Sequence, residues 1–407
     1  MLQRSLLVLS VAAASPLAYA DVILDWNRFA LPIVNGAPSA PAPVQFRAVA
    51  IVNVAMFQAV NSIEPRYQAY QSALAPAPGA SKDAAAAVAA ARVLARLYPD
   101  ARQKIDVELA QYLEKALDRA GGPAAVESGV AVGEKAAAMV WELRANDGAN
   151  APDSYRPKTA AGRYVPTAPT VTPMWPNVAP FTMKTASQFR PGPPVDLKSE
   201  AWARNYNESR QYGKNSSKRT QEQTEIARFW MQTGPVTMLP IAMQLSAAKG
   251  LDVNENARLF ALLGMAAHDA IVAVMDAKYR YEFWRPVTAI RNGDRDGNAK
   301  TDREAAWEPI GPTPMHPEYP CAHCITAGAA GVVLQSVFGT GTVQEFTLTS
   351  TTAPGAVRRW TTIDAYMREP SDARIWAGIH YRFSTEVGFD MGRKLGEQAL
   401  KTTLRPL

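Results

Sequence analysis

The sequence predicts an all-α protein, a helical bundle interrupted by one long proline-rich loop. Three observations carry this. Four stretches in the first 150 residues are rich in Ala, Leu, Glu, Lys and Arg, with apolar positions recurring at the helical period. Alternating β-branched runs are scarce, and only 340–352 reads as extended. Between 147 and about 194, ten prolines interleave with Trp175, Phe181 and Phe189, so neither helix nor strand can persist.

In chain order, residues 1–20 read as a signal peptide. Arg4 supplies the positive n-region, 6–14 the apolar h-region, and Ala18-Tyr19-Ala20 a cleavage site before Asp21. The apolar stretch is too short to span a bilayer, and no later segment offers 18 uninterrupted apolar residues. The expectation is an exported, secreted or periplasmic protein with no membrane span. Helices are predicted over 45–63, 81–97, 101–120 and 124–144, with Asp100 as an N-cap and Gly121-Gly122-Pro123 as punctuation. The small side chains of 84–91 permit close helix packing. The proline-rich loop carries aromatic residues that make poor linker material, so it is expected to pack over a pocket as a lid or wall. Helical patterning resumes near Ala201 and runs to the end, broken by an irregular stretch over 292–319. The expected organisation is 1–20 signal peptide, 21–200 N-terminal helical region with the loop, and 201–407 C-terminal catalytic bundle.

Composition narrows the function classes. Two cysteines in 407 residues exclude a disulfide scaffold and a zinc-finger array. A net charge of +6, not arranged in blocks, gives no nucleic-acid footprint.

The chemistry concentrates towards the C-terminus, where all four histidines lie: His268, His316, His323 and His380. Lys278 and Arg285 are seven residues apart, nearly two helical turns, which predicts two cations on one helix face ending near Arg285 before Pro286. Like charges so placed make sense around an anion. A solvated basic face is the alternative, against which Phe283 and Trp284 argue. His316-Pro317-Glu318-Tyr319-Pro320-Cys321-Ala322-His323-Cys324 precedes a small, apolar stretch that reads as a buried helix starting at Cys321 or Ala322. A helix N-terminus offers free N–H groups and positive dipole to an anion, with His323 in its first turn. Arg374 and His380 follow at a spacing that does not align on one straight helix, which places Arg374 at a bend. Three cations, two imidazoles and helix-start amides are what a tetrahedral oxyanion requires.

The motifs K-x6-R-P, P-x-x-H and R-x5-H, in this order over about 255–392, resemble those of the vanadium-dependent haloperoxidase and type-2 phosphatidic acid phosphatase superfamily, in its bacterial haloperoxidase-like branch. The resemblance implies the helical bundle of the haloperoxidase and acid phosphatase type. It implies that Lys278, Arg285 and Arg374 hold the equatorial oxygens of vanadate, or of a substrate phosphate in its place. It makes Ala322 an amide donor where the family has glycine. His323 becomes the acid–base residue, and His380 the metal ligand or the nucleophile on phosphorus. His316 occupies the position where bromide-using members carry histidine. Hydrogen peroxide, a halide and a small organic acceptor, or else a small phosphate ester, are the implied partners, and a homodimer the implied assembly.

Two departures stand out. The family's P-S-G-H is Pro320-Cys321-Ala322-His323, which puts a thiol where a serine hydroxyl binds the oxyanion. Four residues after the last histidine the family's aspartate is Ser384, for which Glu386 or Asp390 could compensate. Cys321 and Cys324 form a C-x-x-C that suits a local disulfide in an oxidising compartment, or a redox switch beside the site. Ile325 after the second cysteine excludes c-type haem attachment, and zinc would sequester the proposed base. Asp269 or Asp276 could pair with Arg285 or orient His323, or simply meet any nearby cation. Three functions follow: a haloperoxidase, a phosphatase working through a phosphohistidine at His380, and a non-catalytic oxyanion-binding scaffold.

Overall fold

The computed structural model describes residues 21–407 apart from 38, 39, 120, 167, 216 and 217, so the signal-peptide expectation lies outside the described residues. The N-terminal half comprises α1 (Val22–Gly36), α2 (Ala42–Ile63), α3 (Lys82–Leu97), α4 (Arg102–Arg119) and α5 (Pro123–Arg144). The last four match the predicted helices to within three residues, whereas α1, capped by Asp21, was not anticipated. Asp100 does not cap α4; it lies in a 3-10 turn, Pro99–Ala101, that leads into it. Ala84 to Ala91 are wholly buried, and α3 packs closely on α2 and α5.

The C-terminal half comprises α6 (Glu200–Tyr212), α7 (Gln221–Phe229), α8 (Leu239–Lys249), α9 (Val253–Tyr281), α10 (Pro286–Arg291), α11 (Ala322–Phe338), the strands β1 (Thr342–Thr349) and β2 (Val357–Thr362), α12 (Ile363–Trp376) and α13 (Arg382–Thr402). The extended expectation over 340–352 is met by β1, but its antiparallel partner β2 was missed. Its three central residues, Arg358, Arg359 and Trp360, show no alternating pattern to find.

Helix α9 is the axis of the fold. A capping box of Asp252 and Glu255 starts it, and it is buried without a break from Leu259 to Lys278, which explains why it shows no polar face. It packs on α2 from the first half and on α11 and α13 from the second. By length and composition alone α2 and α9 are long and apolar enough to cross a membrane, but both are buried in this core. Helices α11 and α13 meet unusually closely. A Cβ added at Gly388, Gly392 or Gly396, four residues apart on α13, would fall within 3 Å of the carbonyl oxygens of Cys321, Ile325 and Ala329 respectively. That contact fixes the start of α11 against the chain entering α13.

The proline-rich loop contains only a short 3-10 turn, Trp175–Asn177, and is packed rather than free. Trp175, Val178, Phe181 and Met183 enter the main core, and Val171 reaches a cavity described below.

Candidate active site

Four connections bring the predicted residues together. Lys278 sits in the last turn of α9, which ends at Tyr281 because Glu282 turns into the left-handed region (φ 52°). Arg285 is therefore not on the same helix face as Lys278. It is the extended N-cap residue of α10, as Pro286 at the first helical position dictates. Cys321 is the N-cap of α11, which puts Ala322 and His323 in its first turn. Arg374 lies in the last turn of α12, and a turn through Gly378 (φ 74°) delivers His380 just before α13.

His316, Ala322, His323, Arg374 and His380 line one cavity of about 260 Å³. Its outer wall is apolar and includes Phe46, Val171, Ile271, Met275 and Met315. Lys278 and Arg285 do not line it but sit immediately behind. Lys278 Nζ donates to the carbonyls of Pro317 (2.9 Å) and Glu318 (2.7 Å), leaving one of its three protons. Arg285 donates to the carbonyls of His316 (3.0 Å) and Ile379 (2.8 Å), and its Nη1 and Nη2 approach His380 Nε2 (3.2 Å) and His316 Nδ1 (3.1 Å). A guanidinium only donates, so His380 Nε2 accepts, whereas His316 Nδ1 lies between Arg285 Nη2 and the acceptor-only Pro317 carbonyl, each at 3.1 Å.

Histidine tautomers follow. His380 Nδ1 lies 2.6 Å from Glu318 Oε1, which also accepts from the Tyr381 amide at 3.2 Å. Its proton is thus on Nδ1 and its lone pair on Nε2, at the cavity. His323 Nε2 lies 3.0 Å from the Gln232 carbonyl, which can only accept, so Nδ1 carries the lone pair.

The electrostatics are lopsided. Lys278, Arg285 and Arg374 are each no more than 1% exposed, against one buried carboxylate, Glu318, in contact with the group. Burial, reinforced by Arg285, pulls Lys278 well below its usual range, and burial draws Arg374 down to about 9 and Arg285 to about 10. The three imidazoles are held neutral by burial and the neighbouring cations. Burial lifts Glu318 to about 7 against the pull of Lys278 and Arg285. Arg374 Nε is buried without a hydrogen-bond partner, although its Nη1 is held by the Trp230 carbonyl. Cationic groups so desolvated call for an anion in the cavity.

Other expectations are corrected. Asp269 meets neither Arg285 nor His323. It accepts from the Phe181, Thr182 and Met183 amides and the Thr182 hydroxyl at 2.6–3.1 Å, and so anchors the proline-rich loop to α9. Asp276 pairs with Arg190. Cys321 is joined to Cys324 in a disulfide, is fully buried, and accepts from the Cys324 amide, so it has no S–H to offer an anion. Glu386 and Asp390 are exposed, and Asp390 pairs with Lys394; neither replaces the missing aspartate. Glu318 does. The sequence signal was available: a lone acid between His316 and His323, in a segment too apolar to expose it.

Comparison with known proteins bears on the fold. Residues 258–407 match the family model of the VCPO second helical-bundle domain. A vanadium chloroperoxidase of Curvularia inaequalis is 26% identical over an alignment covering 76% of this chain and 64% of that protein, so the chain spans less than two thirds of that relative's length. The crystal structure of the first bacterial vanadium-dependent iodoperoxidase superposes with a TM-score of 0.79 at 26% identity, covering 95% of this chain and 96% of that one. A holo-type bacterial vanadium-dependent chloroperoxidase, at 19% identity, shares the fold with a TM-score of 0.72 over 95% and 93% of the two chains.

Proposed function

We propose, for a chain that belongs to the vanadium haloperoxidase superfamily, that the cavity binds vanadate and that the enzyme oxidises a halide, bromide or iodide favoured, with hydrogen peroxide. One observation carries the proposal: three buried cations, with the buried carboxylate of Glu318 among them, stand at or behind a cavity lined by His316, His323 and His380.

The residues present suit a tetrahedral oxyanion. Arg374 Nε has no partner of its own, the first turn of α11 presents its positive end, and His380 Nε2 carries its lone pair beside Arg285 Nη1 at 3.2 Å. Vanadate, when bound, supplies the electrophilic centre that activates peroxide towards halide. The protein's share is separable. Glu318 holds the His380 proton on Nδ1 and so keeps Nε2 basic. Lys278 and Arg285 neutralise anionic charge from behind the wall, and Arg374 from within the cavity. His323 Nδ1 takes a proton from incoming peroxide, with Nε2 anchored on Gln232. His316 stands at the cavity wall where a halide would approach.

A phosphatase is the second reading, favoured by the same Glu318–His380 pair. A carboxylate-held imidazole with its lone pair on Nε2 is equally a nucleophile for phosphorus once the 3.2 Å contact with Arg285 Nη1 gives way to substrate. A paired assay separates them: bromination or iodination of a phenol with peroxide and vanadate, against hydrolysis of an aryl phosphate. Vanadate-dependent halogenation is expected. Hydrolysis alone would establish the second reading, and neither activity would refute both. Export after cleavage at Ala20 and assembly as a homodimer belong to the same proposal, tested by sequencing the mature N-terminus and by light scattering.

A further inference from the structure

Two groups of the site, His323 and Arg374, are both held by main-chain carbonyls of one short segment just after α7. Trp230 O accepts from Arg374 Nη1 and Gln232 O from His323 Nε2. The next residues, Thr233 and Gly234, line the cavity itself. Such a segment has no regular structure to keep its carbonyls in place, so something else must hold it.

The turn that leaves β1 does so. Ser350 Oγ donates to Phe229 O at 2.7 Å, and Thr352 Oγ1 to Arg228 O at 2.8 Å, so two hydroxyls add side-chain bonds to carbonyls at the C-terminus of α7 that also accept from the amides of Gln232 (3.5 Å) and Met231 (3.0 Å). The Thr351 amide and hydroxyl both donate to Gln232 Oε1, at 2.8 and 3.0 Å. On the other side Trp230 Nε1 donates to Glu369 Oε1 at 2.8 Å, and the ring packs on Trp360 of β2. The sheet is otherwise a lone two-stranded hairpin at the edge of the bundle, and its polar turn meets the segment that aims two site residues.

We propose that the Ser350–Thr352 turn, acting through Gln232, is a positioning element that fixes the tautomer and direction of His323. It rests on the oxyanion reading of the cavity but not on which reaction occurs there. The chain of contact is explicit. Thr351 holds the Gln232 side chain, this sets the Gln232 carbonyl, and the carbonyl keeps the His323 proton on Nε2 and the lone pair on Nδ1. Without it the ring is free to exchange tautomers and rotate.

The test uses the full chain with 15N-labelled histidine, inorganic phosphate as probe, and four variants. The His323 signals are assigned by their loss in His323→Gln. In wild type the nitrogen shifts should report one neutral tautomer, protonated on Nε2. In Gln232→Leu and in Thr351→Val they should move towards an averaged mixture, with phosphate affinity lower by about three- to tenfold, the range for one hydrogen bond. Thr351→Ser keeps the hydroxyl and should restore both. Where halogenation is measurable, kcat should fall with KM for the halide nearly unchanged. An unaltered His323 tautomer in both Gln232→Leu and Thr351→Val would overturn the inference, as would a wild-type tautomer protonated on Nδ1. If Gln232→Leu does not fold, Thr351→Val and its serine rescue decide alone. A tautomer shift in a protein with neither enzymatic activity would support the positioning role while refuting the functions proposed above.

Discussion

Replacing Glu318 by glutamine isolates the charge that the site uses to hold His380. The amide oxygen can still accept from His380 Nδ1 and from the Tyr381 amide, so shape and tautomer survive while the negative charge goes. An anion seated beyond the far ring nitrogen lies roughly 6–7 Å from the carboxylate, where two unit charges repel by about 2–3 kcal/mol at an effective dielectric of about 20. The variant should therefore bind inorganic phosphate more tightly, but only where wild-type Glu318 is ionised. Burial holds that carboxyl at about 7, and its Oε2 has no partner, so a proton can reside there. The affinity ratio of variant to wild type, measured by calorimetry at a series of pH values, should be near one at pH 5.5. It should rise through pH 7 to tenfold or more by pH 8.5, and phosphate's own ionisation cancels in the ratio. Vanadium retention should move the other way, down by about ten- to hundredfold, because a less basic Nε2 is a poorer ligand. A ratio that does not change with pH, or phosphate and vanadate moving in the same direction, would refute the reasoning.

Four other outcomes are expected. His380→Ala should abolish vanadium retention and peroxidase activity, or phosphoenzyme formation in a phosphatase; full activity in that variant would sink both readings. Cys321→Ser keeps an acceptor for the Cys324 amide and gains a hydroxyl, worth about 1.5–3 kcal/mol towards a charged acceptor, so anion binding should tighten. Equal affinities in wild type, Cys321→Ser and reduced protein would show that this position does not touch the anion. Asp269→Ala leaves three amides and a hydroxyl of the proline-rich loop without their acceptor, and should cost about 3 kcal/mol or more in denaturant unfolding. A loss under 1 kcal/mol would show that the loop is held elsewhere. His268 is buried with both ring nitrogens unpartnered, and burial followed by Arg144 drives its pKa far down. Its folded pKa lies below the unfolded one, so stability is present above about pH 6.5 and falls below it. Relative to His268→Leu, wild type should lose about 2 kcal/mol between pH 6.5 and 5; a pH-independent difference would disprove this.

The sequence disclosed the residue types of the site but not their supports. Helices α2 to α5 were legible because propensity and period agreed. So were the three motifs, since their spacing survives any loop conformation. The shared helix face of Lys278 and Arg285 was misread because Glu282 takes a left-handed conformation that a glutamate seldom adopts, ending α9 a turn early. Strand β2 was illegible because Arg358 and Arg359 carry no alternation and the strand lies at an edge. Asp269 was misassigned for a different reason. Its partners are the amides of 181–183, and a carboxylate that caps a loop from 86–88 residues away leaves no pattern in the string.

The departures at Cys321 and Ser384 make sense together once the supports are traced. Moving the carboxylate from α13 to Glu318 places it in the same three-residue segment that holds the cations. The carbonyls of Pro317 and Glu318 bind Lys278, the His316 carbonyl and ring bind Arg285, and the Glu318 side chain binds His380. The remaining two groups, His323 and Arg374, hang on the carbonyls of 230 and 232. The cage is thus held by two short brackets of main chain, 316–318 and 230–232. Each bracket is fixed from outside, the first by the Glu318 amide donating to the Phe283 carbonyl at 2.8 Å, the second by the turn after β1. A carboxylate on α13 would tie His380 to the bundle alone. On the 316–318 bracket it makes His380 move with Lys278 and Arg285, so the ligand and the charges behind it keep one geometry even where the hydroxyl at 321 is gone.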